Sequence, residues 1–313
     1  MAYNSYQAGR AENTADNSTG INSKEWYDRL LLETAHEKFL LSNFTSKKSS
    51  PKFEGNGVVF SRYEPFDTFG DSLAEGETPP GTSLVKVNVR ATISTYGAYV
   101  PLTDDLLTYG EDSNNIKSDI VKNLGKAAGQ TQEELIIAAI LGDATQIVFD
   151  ADIAQTLKVS ELALRNALAD KFTSMITGST KYSTTTVRPG YAGFVSPDGA
   201  MLLEGIPGYT PVDKYGYSDG LLPNEVGSYR GVRYMETTLM PDSVDGKLQA
   251  IIMGEESVAE VGIRGKKKVE SIMKELGSGA GDYLNREASV GSKFKSGTCI
   301  LRNDWVVVAQ LEA

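Results

Sequence analysis

One cysteine and one histidine occur in 313 residues. A single cysteine excludes a disulfide within the chain, and neither residue can supply a multi-thiolate or multi-histidine metal cluster. Cys299 lies in the apolar run Cys299-Ile300-Leu301 and reads as a core thiol rather than a reactive one. His36 sits among charged helical neighbours and reads as a solvated residue. No Gly-x-Ser-x-Gly elbow is present, and a Ser–His–Asp triad would rest on His36 alone. No stretch approaches about 18 consecutive apolar residues, so no membrane-spanning helix is expected. The first twenty residues are polar, without the apolar core of a secretory signal. Positive charge is in deficit, with 31 Lys and Arg against 41 Asp and Glu and a net charge of −10. Such a chain gains nothing from counterion release on DNA, which disfavours duplex recognition. It remains compatible with lining a space in which DNA moves freely.

What is present is periodicity. Val85, Val87, Val89, Ala91 and Ile93 alternate with Lys86, Asn88, Arg90 and Thr92, the signature of a half-exposed antiparallel strand within 84–100. Its expected partner is 57–63. Between them, residues 64–83 contain Pro65, Gly70, Gly76, Pro79, Pro80 and Gly81, which forbid regular structure over most of the loop. Loops of this length are uncommon unless functional. An active-site lid and an intersubunit arm are the two readings.

A long Pro-free helix is expected over 113–141, with Ile116, Ile120, Leu124, Ala127, Ala128, Leu135, Ala138 and Ala139 on one face. Gly125 and Gly129 each cost that helix about 1 kcal/mol relative to alanine. Close packing against another backbone would compensate. Residues 1–22 read as a flexible arm, 23–44 as a helix beginning near Trp26, and 47–51 as a polar linker. Further on, a strand is expected near 146–149, a helix over 160–172 capped by Ser160, and a strand over 191–196. A short helix follows over 197–204, then a strand pair over 227–235 turning at Gly231. The last strands are placed at 248–254, 258–263 and 298–311. There is no repeat at a fixed period.

Chemical motifs are sparse. The acidic neighbours Asp104/Asp105, Glu133/Glu134 and Glu255/Glu256 point apart on helix or strand and read as solvated faces. Asp150 and Asp152 are too few oxygens for a calcium or magnesium site. Gly277-Ser278-Gly279-Ala280-Gly281 lacks the Lys-Ser/Thr of a phosphate loop and reads as a turn. Lys266, Lys267 and Lys268 read as a charged turn or a contact for nucleic acid or an acidic neighbour. Several of the fifteen tyrosines, among them Tyr63, Tyr109, Tyr182, Tyr209, Tyr215, Tyr217 and Tyr229, fall in expected loops. Subunit contact, carbohydrate binding and ordinary packing all suit them. No catalytic residue, cofactor or metal is expected.

The order of parts resembles the major capsid proteins of tailed bacteriophages, an α+β architecture called the Hong Kong 97-like fold, and within it the family typified by the coat protein of phage N-four. The resemblance is carried by Trp26-Tyr27-Asp28-Arg29-Leu30, by Gly57-Val58-Val59-Phe60-Ser61-Arg62-Tyr63, and by Leu73-Ala74-Glu75-Gly76-Glu77-Thr78-Pro79. Tyr96-Gly97-Ala98-Tyr99-Val100 with Thr103-Asp104, Met253-Gly254-Glu255-Glu256 and Ile300-Leu301-Arg302-Asn303-Asp304-Trp305 complete it. It implies an N-terminal arm and helix (1–56), an extended β-hairpin loop (57–100), and a peripheral domain with a long spine helix (101–154). An axial domain (155–248) and a return to the peripheral domain (249–313) follow. The implied role is a coat protein that self-assembles as pentamers and hexamers into an icosahedral head around double-stranded DNA, made in the host cytoplasm and resident in the virion. Implied partners are a portal protein, a separate scaffolding protein and a decoration protein, with DNA held by non-specific proximity. Candidate intersubunit contacts are Arg62, Tyr63, Phe66, Phe69, Leu73, Glu75, Lys86, Arg90, Gly125 and Gly129. Nothing marks Lys86 for a covalent cross-link. The rival readings are a tail-tube or other virion protein, and a carbohydrate-binding protein or enzyme with 64–83 as a lid.

Overall fold

The structure is a computed structural model. It describes residues 40–51, 55–66, 76, 81–109, 113–172, 188–215, 221–241, 246–263, 269–278 and 284–312, with the side chains of 113–115 excepted. Helix α1 (Leu41–Phe44) leads into strands β1 (Ser46–Ser50), β2 (Gly57–Tyr63), β3 (Lys86–Thr92) and β4 (Ser94–Thr103). Helices α2 (Asp104–Tyr109) and α3 (Ser113–Asp143) follow, then β5 (Gln146–Phe149), α4 (Ile153–Asn166), β6 (Tyr191–Val195) and α5 (Pro197–Glu204). The remainder is strand: β7 (Thr210–Pro211), β8 (Glu225–Tyr229), β9 (Val232–Glu236), β10 (Leu248–Met253), β11 (Val258–Ile263), β12 (Glu270–Lys274), β13 (Glu287–Ile300) and β14 (Val306–Leu311).

The described residues form two compact units, one drawn from 95–129 and 267–294, the other from 37–94, 130–266 and 295–313. The larger unit is organised by a seven-stranded sheet in the order β5-β14-β10-β6-β9-β8-β7. Its central strands β6 and β10 are buried along their whole length, which requires cover on both faces. Alternation along each strand sorts the side chains. Ala250, Ile252, Val307, Ala309 and Leu311 face a core closed by Leu157 and Leu164 of α4 and Leu203 of α5. Ile251, Met253, Val306 and Val308 face the opposite core, closed by Ile136, Ile137 and Ile140 of α3 and by Leu40, Leu41 and Phe44. In the same unit β1 pairs parallel with β11, which pairs antiparallel with the end of β13. The smaller unit holds β12 against Ser289–Lys293, and a core of Leu102, Ile116, Ala288 and Val290.

Several expectations are corrected. Residues 47–51 are not a linker. Ser46–Ser50 is an edge strand held by its backbone ladder, with exposed Lys47 and Lys48 of the kind that discourages further pairing. Ser160 does not begin a helix. Asp152 caps α4 by accepting from Ala154 N at 3.0 Å, and Asp150 accepts from Asp152 N at 3.1 Å, so these carboxylates organise a helix start. Ser160 is buried in mid-helix, its Oγ donating to Thr156 O at 2.8 Å. In the C-terminal half of α3 the core face is Ile136, Ile137 and Ile140, while Ala127 and Ala138 are exposed. Strand β12 and the long N-terminal extension of β13 lie where the sequence pattern showed no strand.

One polar group is sealed inside the larger unit. Glu225 Oε1 accepts from Arg233 Nε at 2.6 Å and Tyr215 Oη at 2.8 Å; Oε2 accepts from Leu222 N at 2.9 Å and from Arg233 Nη2. The two charged side chains are 2% and 1% exposed.

Titration at high pH has a defined sign. Burial, then Asp143, pushes the Cys299 thiol up to about 11, consistent with a core thiol. Burial also raises the Tyr191, Tyr209, Tyr215 and Tyr234 hydroxyls above the ordinary tyrosine range. Folding therefore keeps these groups protonated. The stability the thiol contributes is intact below about pH 9 and is lost as pH rises through about 11, and the raised tyrosines act in the same sense at high pH. Melting temperatures recorded from pH 8 upward should fall across that interval; a flat profile would contradict the burial.

Candidate intersubunit surface

Strands β2 and β3 pair antiparallel from Gly57↔Thr92 to Tyr63↔Lys86. The ladder continues at both ends, through Ile93 N to Asn56 O at 2.7 Å and Glu64 N to Val85 O at 3.0 Å. The expected hairpin is thus present in register. One face carries Val58, Phe60, Val89 and Ala91, packed with Ile93 on Ala259, Val261 and Cys299. The other carries Val59 opposite Arg90, Ser61 opposite Asn88, and Tyr63 opposite Lys86. Ser61 Oγ donates to Asn88 Oδ1 at 2.7 Å across this outer face.

Burial decays outward along the ribbon. Ala91 and Ile93 at the root are 1% and 7% exposed; Val85, Phe66, Leu84 and Tyr63 at the far end are 49%, 54%, 55% and 61% exposed. A two-stranded ribbon is marginal by itself, and contiguous exposed apolar side chains mark a contact surface. At the root, a Cβ on Gly297 would lie 2.5 Å from Thr92 O, so this glycine lets the hairpin backbone press on β13. Gly297→Val should lower stability by about 1–3 kcal/mol through overpacking, read as a lower urea midpoint. An unchanged midpoint would show that the root is not fixed there.

The candidate contacts divide accordingly. Tyr63, Phe66, Lys86 and Arg90 are exposed on the hairpin. Arg62 points to the inner side and is half-buried. Phe69, Leu73 and Glu75 lie outside the described residues. Among the described residues nothing comes within 4 Å of a Cβ at Gly125, so none of them supplies the close packing expected there; Gly129 is half-buried. Sequence reasoning missed Val59, 57% exposed, and the pair Leu84 and Val85. Val59 was legible, because it breaks the alternation by being apolar on the polar face. Tyrosine placement argues for ordinary packing at several positions: Tyr215 and Tyr229 are buried and Tyr209 is half-buried, while Tyr63 and Tyr109 are exposed. Tyr182 and Tyr217 lie outside the described residues, as do His36 and the lysines at 266–268. Among the described residues no cluster of three or more His, Cys, Asp or Glu could hold a metal, and no helix is long and apolar enough to cross a membrane.

A far-reaching hairpin, a 31-residue helix about 46 Å long, and a mixed sheet between helices define a Hong Kong 97-like capsid subunit. The solved structures that resemble it agree. The capsid of cyanophage P-SCSP1u superposes with a TM-score of 0.64 at 11% identity, covering 92% of each chain. The acidic stable capsid of Helicobacter pylori bacteriophage KHP30 gives 0.65 at 10% identity, covering 96% of this chain and 97% of that one. The capsid of Ralstonia phage GP4 gives 0.64 at 14% identity, covering 93% and 95%. No curated protein matches in sequence. The chain belongs to the phage capsid protein family, whose model matches residues 86–272, and is a major capsid protein.

Proposed function

We propose that this chain builds the icosahedral head of a tailed phage of the N-four type, as pentamers and hexamers held together by hairpin 57–100 lying over the adjacent copy. The observation that carries this reading is the bare apolar end of the hairpin, which nothing among the described residues of its own subunit covers. Each such contact is weak. Repetition in a closed symmetric shell makes the whole stable. Residues 1–56 act as the arm and first helix, 101–154 and 249–313 as the peripheral domain, and 155–248 as the axial domain around the five- and six-fold axes. Exposed Val159, Leu162 and Leu168 fall in the axial segment and suit contacts there. Gly125 and Gly129 admit close approach by a neighbour. The protein acts by assembly, not catalysis. It is made in the host cytoplasm, with a portal, a separate scaffolding protein and a decoration protein as partners, and its acidic balance keeps packaged DNA mobile. Negative-stain microscopy tests this in cells that also produce the other head proteins of its phage. Closed isometric shells containing the chain are expected; open tubes or small soluble oligomers would overturn it.

A further inference from the structure

We propose that a cleft beside the hairpin is the acceptor for the acidic 64–83 loop of a second copy, an inference that rests on the intersubunit reading of the hairpin. The cleft, about 190 Å³, lies between Phe60, Arg62 and Val89 of the hairpin and Glu256, Leu301 and Arg302 of the adjoining turns. All six residues belong to the larger unit. Arg62 Nε is buried with no hydrogen-bond partner among the described residues. Neither Arg62 nor Arg302 forms an ion pair among the described residues. The Arg302 guanidinium sits 4.0 Å from the Trp305 ring centre. A guanidinium stacked on an aromatic ring keeps its in-plane N–H donors for an anion, and the planar fork matches a carboxylate. Phe60, Val89 and Leu301 wall the site with apolar surface, which strengthens a charged hydrogen bond made there. Exposed Glu256 offsets one of the two positive charges and leaves the cleft cationic.

Charge complementarity selects the occupant. Residues 64–83 carry Glu64, Asp67, Asp71, Glu75 and Glu77 and no lysine or arginine. The bond from Glu64 N to Val85 O extends the ladder past Tyr63, so the loop departs from the end of the ribbon while Arg62 lines its inner flank. Donor and acceptor are thus different patches of one chain. Such a head-to-tail contact propagates from copy to copy and closes when the rotation permits a ring.

The test is a charge exchange in the full chain, in cells producing the other head proteins. Arg62→Glu with Arg302→Glu should leave the melting temperature of the subunit unchanged and cut shell yield by about tenfold or more, because like charges then face each other. A second chain carries Asp67→Lys, Asp71→Lys, Glu75→Lys and Glu77→Lys and should fail alone in the same way. Carrying all six substitutions on one chain should restore shells, since every loop then meets a cleft of opposite charge on its neighbour in pentamers and hexamers alike. Normal assembly of the arginine variant overturns the proposal, and so does failure of the six-substitution chain to recover. When the two partial variants are produced together they should alternate around six-membered rings; recovery of the six-substitution chain with no mixed rings at all places the loop in its own cleft and overturns the assignment to a second copy. Deleting 66–82 separates the two layers. If that deletion abolishes shells while the arginine variant assembles normally, the hairpin contact stands and this cleft is not its acceptor.

Discussion

A chain lacking residues 66–82 is expected to fold, stay soluble and form no shells. The deletion is mild for the subunit. Glu64 and Val85 are already joined by a backbone hydrogen bond of 3.0 Å, and Pro65, Ser83 and Leu84 would remain as a three-residue connection of a length common in hairpins. The buried root, where Ala91 and Ile93 meet Ala259, Val261 and Cys299, is untouched. Unfolding temperature should therefore stay close to that of the full chain. What disappears is Phe66 of the bare end of the ribbon, together with the loop residues that follow it in sequence. Because a shell repeats this contact at every subunit, its loss is multiplied rather than averaged, and the yield of closed particles should drop to background. Shells of normal size from the shortened chain would refute the role assigned to the loop.

The second large effect concerns folding. Glu225→Ala should destabilise the unassembled subunit by about 3–5 kcal/mol, because it leaves the Arg233 guanidinium buried without its anion. The same carboxylate accepts from Tyr215 Oη and Leu222 N, so the substitution orphans those donors too. Replacing both charges, as Glu225→Leu with Arg233→Met, should cost much less than Glu225→Ala alone, since a well-packed apolar pair needs no compensation. Urea denaturation of the three chains measures the difference. A cost below about 1 kcal/mol for Glu225→Ala would match a solvent-exposed pair and would contradict the burial.

Where the sequence was legible, a single strong periodicity was responsible. Strand β3 follows from period-two alternation beyond a breaker-rich loop, and Lys86, Asn88, Arg90 and Thr92 take the exposed side as expected. Helix α3 and the β8–β9 turn were legible for similar reasons, the latter through Gly231. The elements that escaped lack a long regular run of apolar side chains or carry a misleading local signal. Strand β1 is Ser-Lys-Lys-Ser-Ser, held by a parallel ladder that leaves no trace in composition. In β13 the inward positions include Ser292 and Ser296, and Gly97 and Gly297 let neighbouring backbones take the space a side chain would fill. Helix α4 was displaced because Ser160 resembles a cap, whereas the cap is Asp152, eight residues earlier. The larger sheet's buried pair was invisible, since Arg233 and Glu225 become partners through the β8–β9 pairing. The candidate surface was half legible: Tyr63, Phe66, Lys86 and Arg90 were, but the cleft of Arg62 and Arg302 joins segments far apart in sequence.

The most direct measurement is an electron cryomicroscopy map of assembled heads at a resolution that traces the chain from Gly57 to Val100. The expected result is that the apolar end of each hairpin, with Tyr63, Phe66, Leu84 and Val85, lies against an adjacent copy and is covered by it. A hairpin folded back over its own subunit, or left standing in solvent at every position of the shell, would contradict the central claim.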